Sequence, residues 1–411
     1  MSKATFFRQS GWMMFATVVG GAMMWLVHPL SKVIGKAEYS QYGALLSLIM
    51  MIPVGPLGVM FVQQTALALA NDRRRQLTGM IRMAWLGTFV LWLVAAALAL
   101  WFQKDILVAL KLTQPAALWA TLLVALGSLW LPIFFGLLQG EQNFLWLGWT
   151  SIINGAGRVG AAAFIVLTLG GLAAGVMTGA ALGLAVTLAV SIWQTRDLWR
   201  GPAEPFDWRK LLAQVGPLMI GFGAFQILFS GDTMFAQHYF DAEETGSYVA
   251  AGTLSRALVW VVGPLTAVMF PKIIHSAAKA EKTDLLAVTL GCTAALAVGG
   301  AVALWIVAPY VVPIVYNASY SAVAIKVLPW YAGAMVVLAL TNVLLSNLLG
   351  RGQFRVVPWV AVLAVAYAWA LTRHHSSLVM VLQTAGLFGL LALGVCVWFT
   401  WGGRAGKPLT P

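Results

Sequence analysis

Charged side chains are scarce in this sequence: Asp, Glu, Lys and Arg together make up 9% of its 411 residues. Soluble domains average about 25%. Apolar residues make up 61% of the chain, and a soluble protein of this size would need far more polar side chains to cover its surface. The composition therefore excludes a soluble fold and indicates an integral membrane protein, with lipid as the solvent around most of its surface.

Groups that carry covalent or metal chemistry are also few. The two cysteines, Cys292 and Cys396, lie inside apolar runs, so they form neither a disulfide framework nor a metal site. The five histidines show no metal-binding spacing. The sequence has no nucleophile elbow, no glycine-rich phosphate loop followed by lysine, and no paired carboxylates within an apolar run. We therefore predict no catalytic residue, no metal and no bound cofactor, and we do not expect an enzyme.

Long apolar segments are abundant. A helix needs about 20 apolar residues to cross the hydrocarbon core of a membrane, and twelve segments meet or approach this length. We predict an all-α integral membrane protein whose helices span residues 11–29, 42–70, 81–102, 116–138, 144–169, 171–194, 212–235, 246–270, 285–307, 327–349, 356–371 and 378–401. The eleventh of these segments is the shortest.

Positive charge is distributed unevenly between the two sides of the predicted membrane. The formal net charge is +12, which in a soluble protein could indicate nucleic-acid binding. Here most of the 25 Lys and Arg residues lie on the side of the N-terminus. The opposite loops contain only Lys32, Lys36, Lys104, Lys111, Lys326 and Arg373. The positive-inside rule therefore places both termini in the cytoplasm, and we expect no nucleic-acid partner.

The second half of the sequence repeats features of the first at a nearly constant offset. Tyr42 and the Gly-Pro-Leu at 55–57 correspond to Tyr248 and the Gly-Pro-Leu at 263–265. Because six spans per repeat is an even number, both halves enter the membrane in the same orientation. The predicted organisation is two pseudo-symmetric six-helix lobes around a central cavity: an N-terminal lobe at 1–195, a cytoplasmic linker at 196–211 and a C-terminal lobe at 212–411.

Two arginines fall inside predicted spans. Arg158 lies about 20 Å into the fifth span, and Arg256 lies about 15 Å from the outer end of the eighth. A charge near mid-membrane costs at least about 2.5–3.5 kcal/mol unless it faces water, a ligand or a counter-charge. We predict that both line the cavity and bind an anionic substrate, since guanidinium groups bind phosphate oxygens bidentately. The alternative is a structural role, for Arg256 an ion pair with Asp232 of the seventh span.

Other polar residues within the spans allow two interpretations each. Asp232 is the one carboxylate that we place within a span, where it could exchange a proton or bind Na⁺, or else lie at a helix end near the membrane surface. Gln63, Gln226 and Asn342 offer donors and acceptors for sugar hydroxyls, and helix–helix contacts use the same residue types.

Prolines and glycines punctuate several spans. Pro53 and Pro56 in the second span and Pro264 in the eighth remove backbone hydrogen bonds, so these positions are predicted hinges, with plain helix curvature as the alternative. A stripe of small residues allows close helix packing along the sixth span: Gly171, Gly175, Gly179 and Gly183.

The stretch 231–277 is the most distinctive. It reads Gly-Asp-Thr at 231–233, Phe-Asp-Ala-Glu-Glu-Thr-Gly-Ser-Tyr at 240–248 and Leu-Ser-Arg at 254–256. This pattern resembles the seventh and eighth helices of the polysaccharide-biosynthesis (O-antigen type) flippases, which belong to the multidrug, oligosaccharidyl-lipid and polysaccharide exporter superfamily. The turns Leu-Leu-Gln-Gly at 137–140 and Gly-Arg-Gly-Gln at 350–353 resemble the short cytoplasmic turns of that family.

The resemblance implies a transporter coupled to H⁺ or Na⁺ that works by alternating access. Its cargo would be a polyprenyl-diphosphate-linked oligosaccharide, flipped to the periplasmic leaflet of the bacterial inner membrane. Its partners would be this substrate, membrane lipids and polysaccharide assembly proteins. Arg256 matches the eighth-helix arginine of the family best. The lipid II branch typically has fourteen spans and cationic residues in the first helix, and both features differ here.

Two other classes of function stay open. A multidrug antiporter coupled to H⁺ or Na⁺ would share the fold, although it would favour acidic and aromatic cavity residues over two arginines. A membrane-embedded glycan polymerase or glycosyltransferase would normally show a large outer loop or acidic residues just outside an early span. The outer loops here are short, and Glu38 is the one acidic residue in the first of them.

Overall fold

The computed structural model describes residues 3–278 and 285–402, with their side chains except at 3–8, 10, 210, 211, 214, 261–278 and 285. All regular secondary structure in these ranges is helical. The chain divides into two compact units, Met1–Gly216 and Pro217–Pro411. The division lies inside a helix, just beyond the linker predicted at 196–211.

The first unit consists of five long helices, one bent pair and three short helices. They are α1 (Lys3–Trp25), α2 (Ser31–Ile34), α3 (Lys36–Met50), α4 (Gly55–Ala70), α5 (Arg74–Trp101), α6 (Gln103–Ala109), α7 (Pro115–Gly140), α8 (Phe144–Leu169), α9 (Leu172–Gln194) and α10 (Arg196–Trp199). A 3₁₀ turn, His28–Leu30, precedes α2.

The second unit contains six long helices, the first of which begins before the division between the units. They are α11 (Trp208–Tyr239), α12 (Ala242–Ala278), α13 (Leu285–Val315), α14 (Ser321–Gly350), α15 (Val357–Arg373) and α16 (Leu378–Val397). Short 3₁₀ turns precede α14 and α15, and a π-helical turn, Trp398–Gly402, follows α16.

The helices match the spans that hydrophobic length predicts. Ten helices within the described ranges are long and apolar enough to cross a membrane, and the bent pair of α3 and α4 gives an eleventh as one broken span. The eighth predicted span corresponds to α12, a helix of 37 residues. The short eleventh prediction corresponds to the 20-residue segment Phe354–Arg373. The predicted all-α, multi-pass membrane fold is confirmed.

Two of the three predicted hinge prolines lie where the second span is broken. The chain bends by 43° between α3 and α4, and residues 51–54 are not helical. Pro53 has no N–H and disfavours helical backbone at Ile52, whereas Pro56 stands in the first turn of α4, where proline is tolerated. Pro264 falls in the part of α12 whose side chains are outside the described residues. Hinge motion at these prolines stays a prediction.

Glycines bring α8 and α9 into direct backbone contact. A Cβ atom on Gly183 would lie against the backbone nitrogen of Arg158, and one on Gly179 would lie against Ala162. Gly171 and Gly175 lie against the side chain of Ile165 in the same way. All four glycines of the predicted stripe therefore face α8, and their predicted packing role is confirmed. Nearer its start, α8 contacts α1 just as closely.

The predicted linker is bound to the first unit rather than lying free. The guanidinium of Arg82 in α5 donates hydrogen bonds of 2.8 Å to the carbonyl oxygens of Trp199 and Gly201. The backbone nitrogen of Glu204 donates to the carbonyl oxygen of Arg75 at 3.0 Å. The linker therefore continues the first unit at least as far as Glu204.

Gly183→Ala should lower the midpoint of thermal unfolding in detergent. Its methyl group would force α8 and α9 apart, and overpacking of this kind costs about 1–3 kcal/mol. Gly160→Ala is the matched control, because a Cβ at Gly160 of α8 meets no atom within 4 Å and alanine favours helix over glycine. Equal loss of stability in the two variants would contradict the packing assigned to Gly183.

Candidate functional site

A buried ion pair joins α11 and α12 in the second unit. Nη2 of Arg256 lies 2.8 Å from Oδ1 of Asp232, and the two residues expose only 5% and 2% of their surface. The same nitrogen donates to Oγ1 of Thr233 at 2.7 Å, and Nε donates to the carbonyl oxygen of Phe229 at 3.3 Å. The structure therefore contains the ion pair that was the alternative interpretation of Arg256.

Two tyrosines complete the surroundings of Asp232. The hydroxyl of Tyr248 in α12 donates to Oδ2 at 2.7 Å, and the hydroxyl of Tyr331 in α14 donates to the same atom. The guanidinium of Arg256 also lies over the ring of Tyr331 at 5.4 Å, within the range of a cation–π interaction. Both carboxylate oxygens thus have donors. A proton or Na⁺ at Asp232 would compete with these donors for the carboxylate oxygens.

Arg158, in α8 of the first unit, is in a different electrostatic situation. Its side chain is half-buried, and the titratable groups that act on it are His28 and Tyr42 rather than a carboxylate. Across the described side chains, no acidic group forms an ion pair with it. Arg158 therefore holds a positive charge about 20 Å along α8 without a protein counter-charge in the described residues.

An unsatisfied acceptor lies one helical turn before Arg158. Asn154 is buried, and its Nδ2 contacts only the sulfur of Met24, at 3.6 Å. Its Oδ1 has no hydrogen-bond partner in the described part of the chain. Residues four apart share one helix face, so a cation and a free amide oxygen occupy the same face of α8.

Aromatic rings and an imidazole surround this part of the first unit. His28 Nδ1 and the Tyr39 hydroxyl share a hydrogen bond of 2.8 Å. The rings of His28, Tyr39 and Tyr42 lie with their centroids 6.0 Å apart in each pair, and all three residues are buried. Sequence reasoning missed His28 because it has no characteristic spacing. Tyr42 was visible only as the repeat partner of Tyr248.

The three uncharged residues predicted to contact a sugar are distributed over both units. Gln63 is exposed on α4 of the first unit, whereas Gln226 of α11 and Asn342 of α14 are half-buried in the second. A role in substrate binding stays a prediction for these residues. Within the described ranges, no group of three or more His, Cys, Asp or Glu residues could hold a metal ion.

Residues 6–277 match the protein family described as "Polysaccharide biosynthesis protein". The chain belongs to this family. The match covers the stretch 231–277 that carries the resemblance, so the resemblance is confirmed at the level of the family. No curated protein matches the chain significantly.

Solved structures of transporters share the fold of this polysaccharide biosynthesis protein. An inward-facing multidrug resistance MATE family transporter of the MOP superfamily has a TM-score of 0.75 at 12% identity, covering 92% of this chain and 93% of that one. The lipid II flippase MurJ, inward closed, has a TM-score of 0.71 at 14% identity, covering 97% and 88%. A point mutant of the Vibrio cholerae MATE transporter VcmN gives 0.63 at 12%, covering 98% and 97%.

These identities are too low to transfer an activity, and they show the fold alone. The fold is the one that these transporters and this flippase share. The family match rests on the sequence and stands independently of this likeness.

Arg256→Met should destabilise the second unit by about 3–5 kcal/mol, because it leaves the charge of Asp232 buried without its cation. Asp232→Asn in the same chain removes that charge and should recover most of the loss. The midpoint of thermal unfolding in detergent, measured for the single and double variants, checks this. A midpoint of Arg256→Met equal to that of the wild type would show that the ion pair does not hold α11 and α12 together.

Proposed function

We propose that this protein moves a polyprenyl-diphosphate-linked oligosaccharide from the cytoplasmic to the periplasmic leaflet of the bacterial inner membrane, by alternating access, during surface polysaccharide synthesis. Both termini would lie in the cytoplasm, and the protein would act as a transporter without catalytic residues. The family match and the flippase-type fold support the class of function. The cargo and its direction follow from the sequence resemblance.

The observation that carries the proposal is the guanidinium of Arg158. Arg256 is already neutralised by Asp232, so its charge is not free for an anion in this arrangement. Arg158 has no such partner among the described carboxylates, and an unpaired charge inside a membrane span is costly. A diphosphate would supply the counter-charge through bidentate hydrogen bonds. The Oδ1 of Asn154 lies one turn away without a hydrogen-bond partner in the described residues, but it is buried and a cargo hydroxyl could reach it only after the surrounding helices move.

Coupling to H⁺ or Na⁺ is proposed at Asp232. Its carboxylate lies between a guanidinium and two tyrosine hydroxyls, so a cation arriving there would compete directly with Arg256. Release of Arg256 would break the link between α11 and α12 and alter the packing of the second unit. Membrane lipids and polysaccharide assembly proteins are the other partners that we expect.

A multidrug antiporter is the second candidate function, because a multidrug resistance transporter shares the fold with a TM-score of 0.75. The charge of Arg158 argues against it, since cationic drugs would be repelled by an unneutralised guanidinium. Anionic cargo would be attracted.

Arg158→Gln in the native host should reduce surface glycan by about tenfold or more, because charge-assisted hydrogen bonds contribute most to binding. Lipid-linked precursor should accumulate on the cytoplasmic side at an unchanged protein level. Arg158→Lys keeps the charge and should retain part of the activity. Arg75→Gln removes an exposed arginine at the start of α5, before the predicted span 81–102, and serves as the control.

The same strains separate the candidate functions. Normal surface glycan together with a loss of drug tolerance in Arg158→Gln would favour the antiporter. Normal surface glycan together with normal drug tolerance in Arg158→Gln would show that Arg158 is structural. This result would remove the main support for anionic cargo.

A further inference from the structure

The first unit contains a small pocket away from the buried charges. It lies between the end of α4, the start of α5 and the linker, and has a volume of about 260 Å³. Its polar and aromatic lining comes from Gln64, Asn71, Arg73, Gln76 and Phe206. We call it the linker pocket. No part of the proposed transport mechanism uses it.

The turn between α4 and α5 forms one side of the linker pocket. Asp72 takes a left-handed backbone conformation with φ of 53°, which reverses the chain within a few residues. The backbone nitrogen of Arg73 then donates to the carbonyl oxygen of Ala68 at 2.8 Å. These backbone contacts hold Arg73 beside the last turn of α4, with its side chain exposed at the rim.

The linker forms the opposite side. The hydrogen bond from Glu204 N to the carbonyl oxygen of Arg75 fixes the chain just before Phe206. The carbonyl oxygen of Glu204 lies so close to Gly79 of α5 that a Cβ atom there would collide with it. These contacts between the backbones of the linker and α5 hold Phe206 at the pocket, where it is half-buried.

The lining combines a polar rim with an apolar floor. The amides of Gln64, Asn71 and Gln76 each offer donors and an acceptor, and Arg73 presents the planar fork of donors that fits phosphate oxygens. The floor includes Leu77 and Met80, which are 3% and 1% exposed. A ligand for this pocket needs hydroxyl groups at its edge, an apolar face and a negative charge.

Simpler ligands meet only part of this requirement. A bare inorganic anion would use Arg73 and leave the apolar floor and the amides without partners. An apolar molecule would cover the amides and the guanidinium without giving them hydrogen-bond partners. Burial of unpaired polar groups is unfavourable. Pockets for drug-sized ligands measure about 300–1,000 Å³, so the linker pocket suits one sugar ring rather than an oligosaccharide.

We propose that the linker pocket binds a sugar phosphate, with Arg73 on the phosphate, the three amides on the ring hydroxyls, and Phe206 and the apolar floor against the ring. The inference rests on the proposed function, because that function supplies the sugar phosphate. It would be the phosphate-linked first sugar of the cargo before the cargo crosses the membrane. The other source of the same chemistry is the glycerol-phosphate headgroup of phosphatidylglycerol.

Glucose 1-phosphate binding to the full-length protein tests this assignment. The protein is placed in phosphatidylcholine nanodiscs, and the ligand is followed by saturation-transfer NMR, with glucose and inorganic phosphate as comparison probes. Glucose 1-phosphate should bind at least about tenfold more tightly than either probe, because each makes only part of the contacts. Arg73→Gln should weaken it by about tenfold or more, and Arg75→Gln should leave it unchanged.

A second matched pair uses two glutamines of the first unit. Gln64→Leu removes a pocket amide and should weaken binding several-fold, whereas Gln114→Leu alters an exposed glutamine outside the lining and should have no effect. Absence of glucose 1-phosphate binding, equal binding of inorganic phosphate, or equal losses within either pair of variants would overturn the proposal.

Nanodiscs that contain phosphatidylglycerol distinguish the two sources. Glucose 1-phosphate binding that persists in them supports the cargo assignment, and its displacement assigns the pocket to the lipid headgroup and overturns that assignment. Failure of this inference is distinguishable from failure of the proposed function. Loss of binding in Arg73→Gln does not depend on Arg158, and glycan export measured in Arg158→Gln does not depend on the pocket.

Discussion

A guanidinium inside a hydrocarbon layer is costly unless it faces water, a ligand or a counter-charge, and the two units meet this constraint differently. In the second unit Asp232 supplies the counter-charge, and the resulting ion pair recruits Tyr248 and Tyr331, so that three helices meet at one carboxylate. In the first unit the described residues supply no carboxylate to Arg158. One arginine is therefore neutralised within the described structure, and the other has no carboxylate partner among the described residues.

Two tyrosines that the predicted sequence repeat pairs with each other differ in their surroundings. Tyr42 and Tyr248 are both buried. Tyr248 bonds to the carboxylate of Asp232, whereas Tyr42 packs against the imidazole of His28. If the repeat is a duplication, its two copies have diverged at this position, and only the second has a carboxylate there among the described residues.

Most of the fold could be predicted because hydrophobic length leaves little choice of span, and the breaks at Pro53 and Pro56 follow from proline chemistry. The pairing of Asp232 with Arg256 was visible as an alternative, because their helices are consecutive. What could not be predicted depends on contacts across long sequence separations. The docking of Trp199 and Gly201 on Arg82, and the place of His28 beside Arg158, have no local signature in the sequence.

The glycine contacts of α8 have a mechanical consequence. The backbones touch without intervening side chains between Gly183 and Arg158 and between Gly20 and Ser151. At these contacts no side chains can change rotamer to let one helix slide past the other. Helices α1, α8 and α9 should then move together as one rigid body. Arg158 should therefore keep its position relative to α1 and α9 in any rearrangement of the first unit.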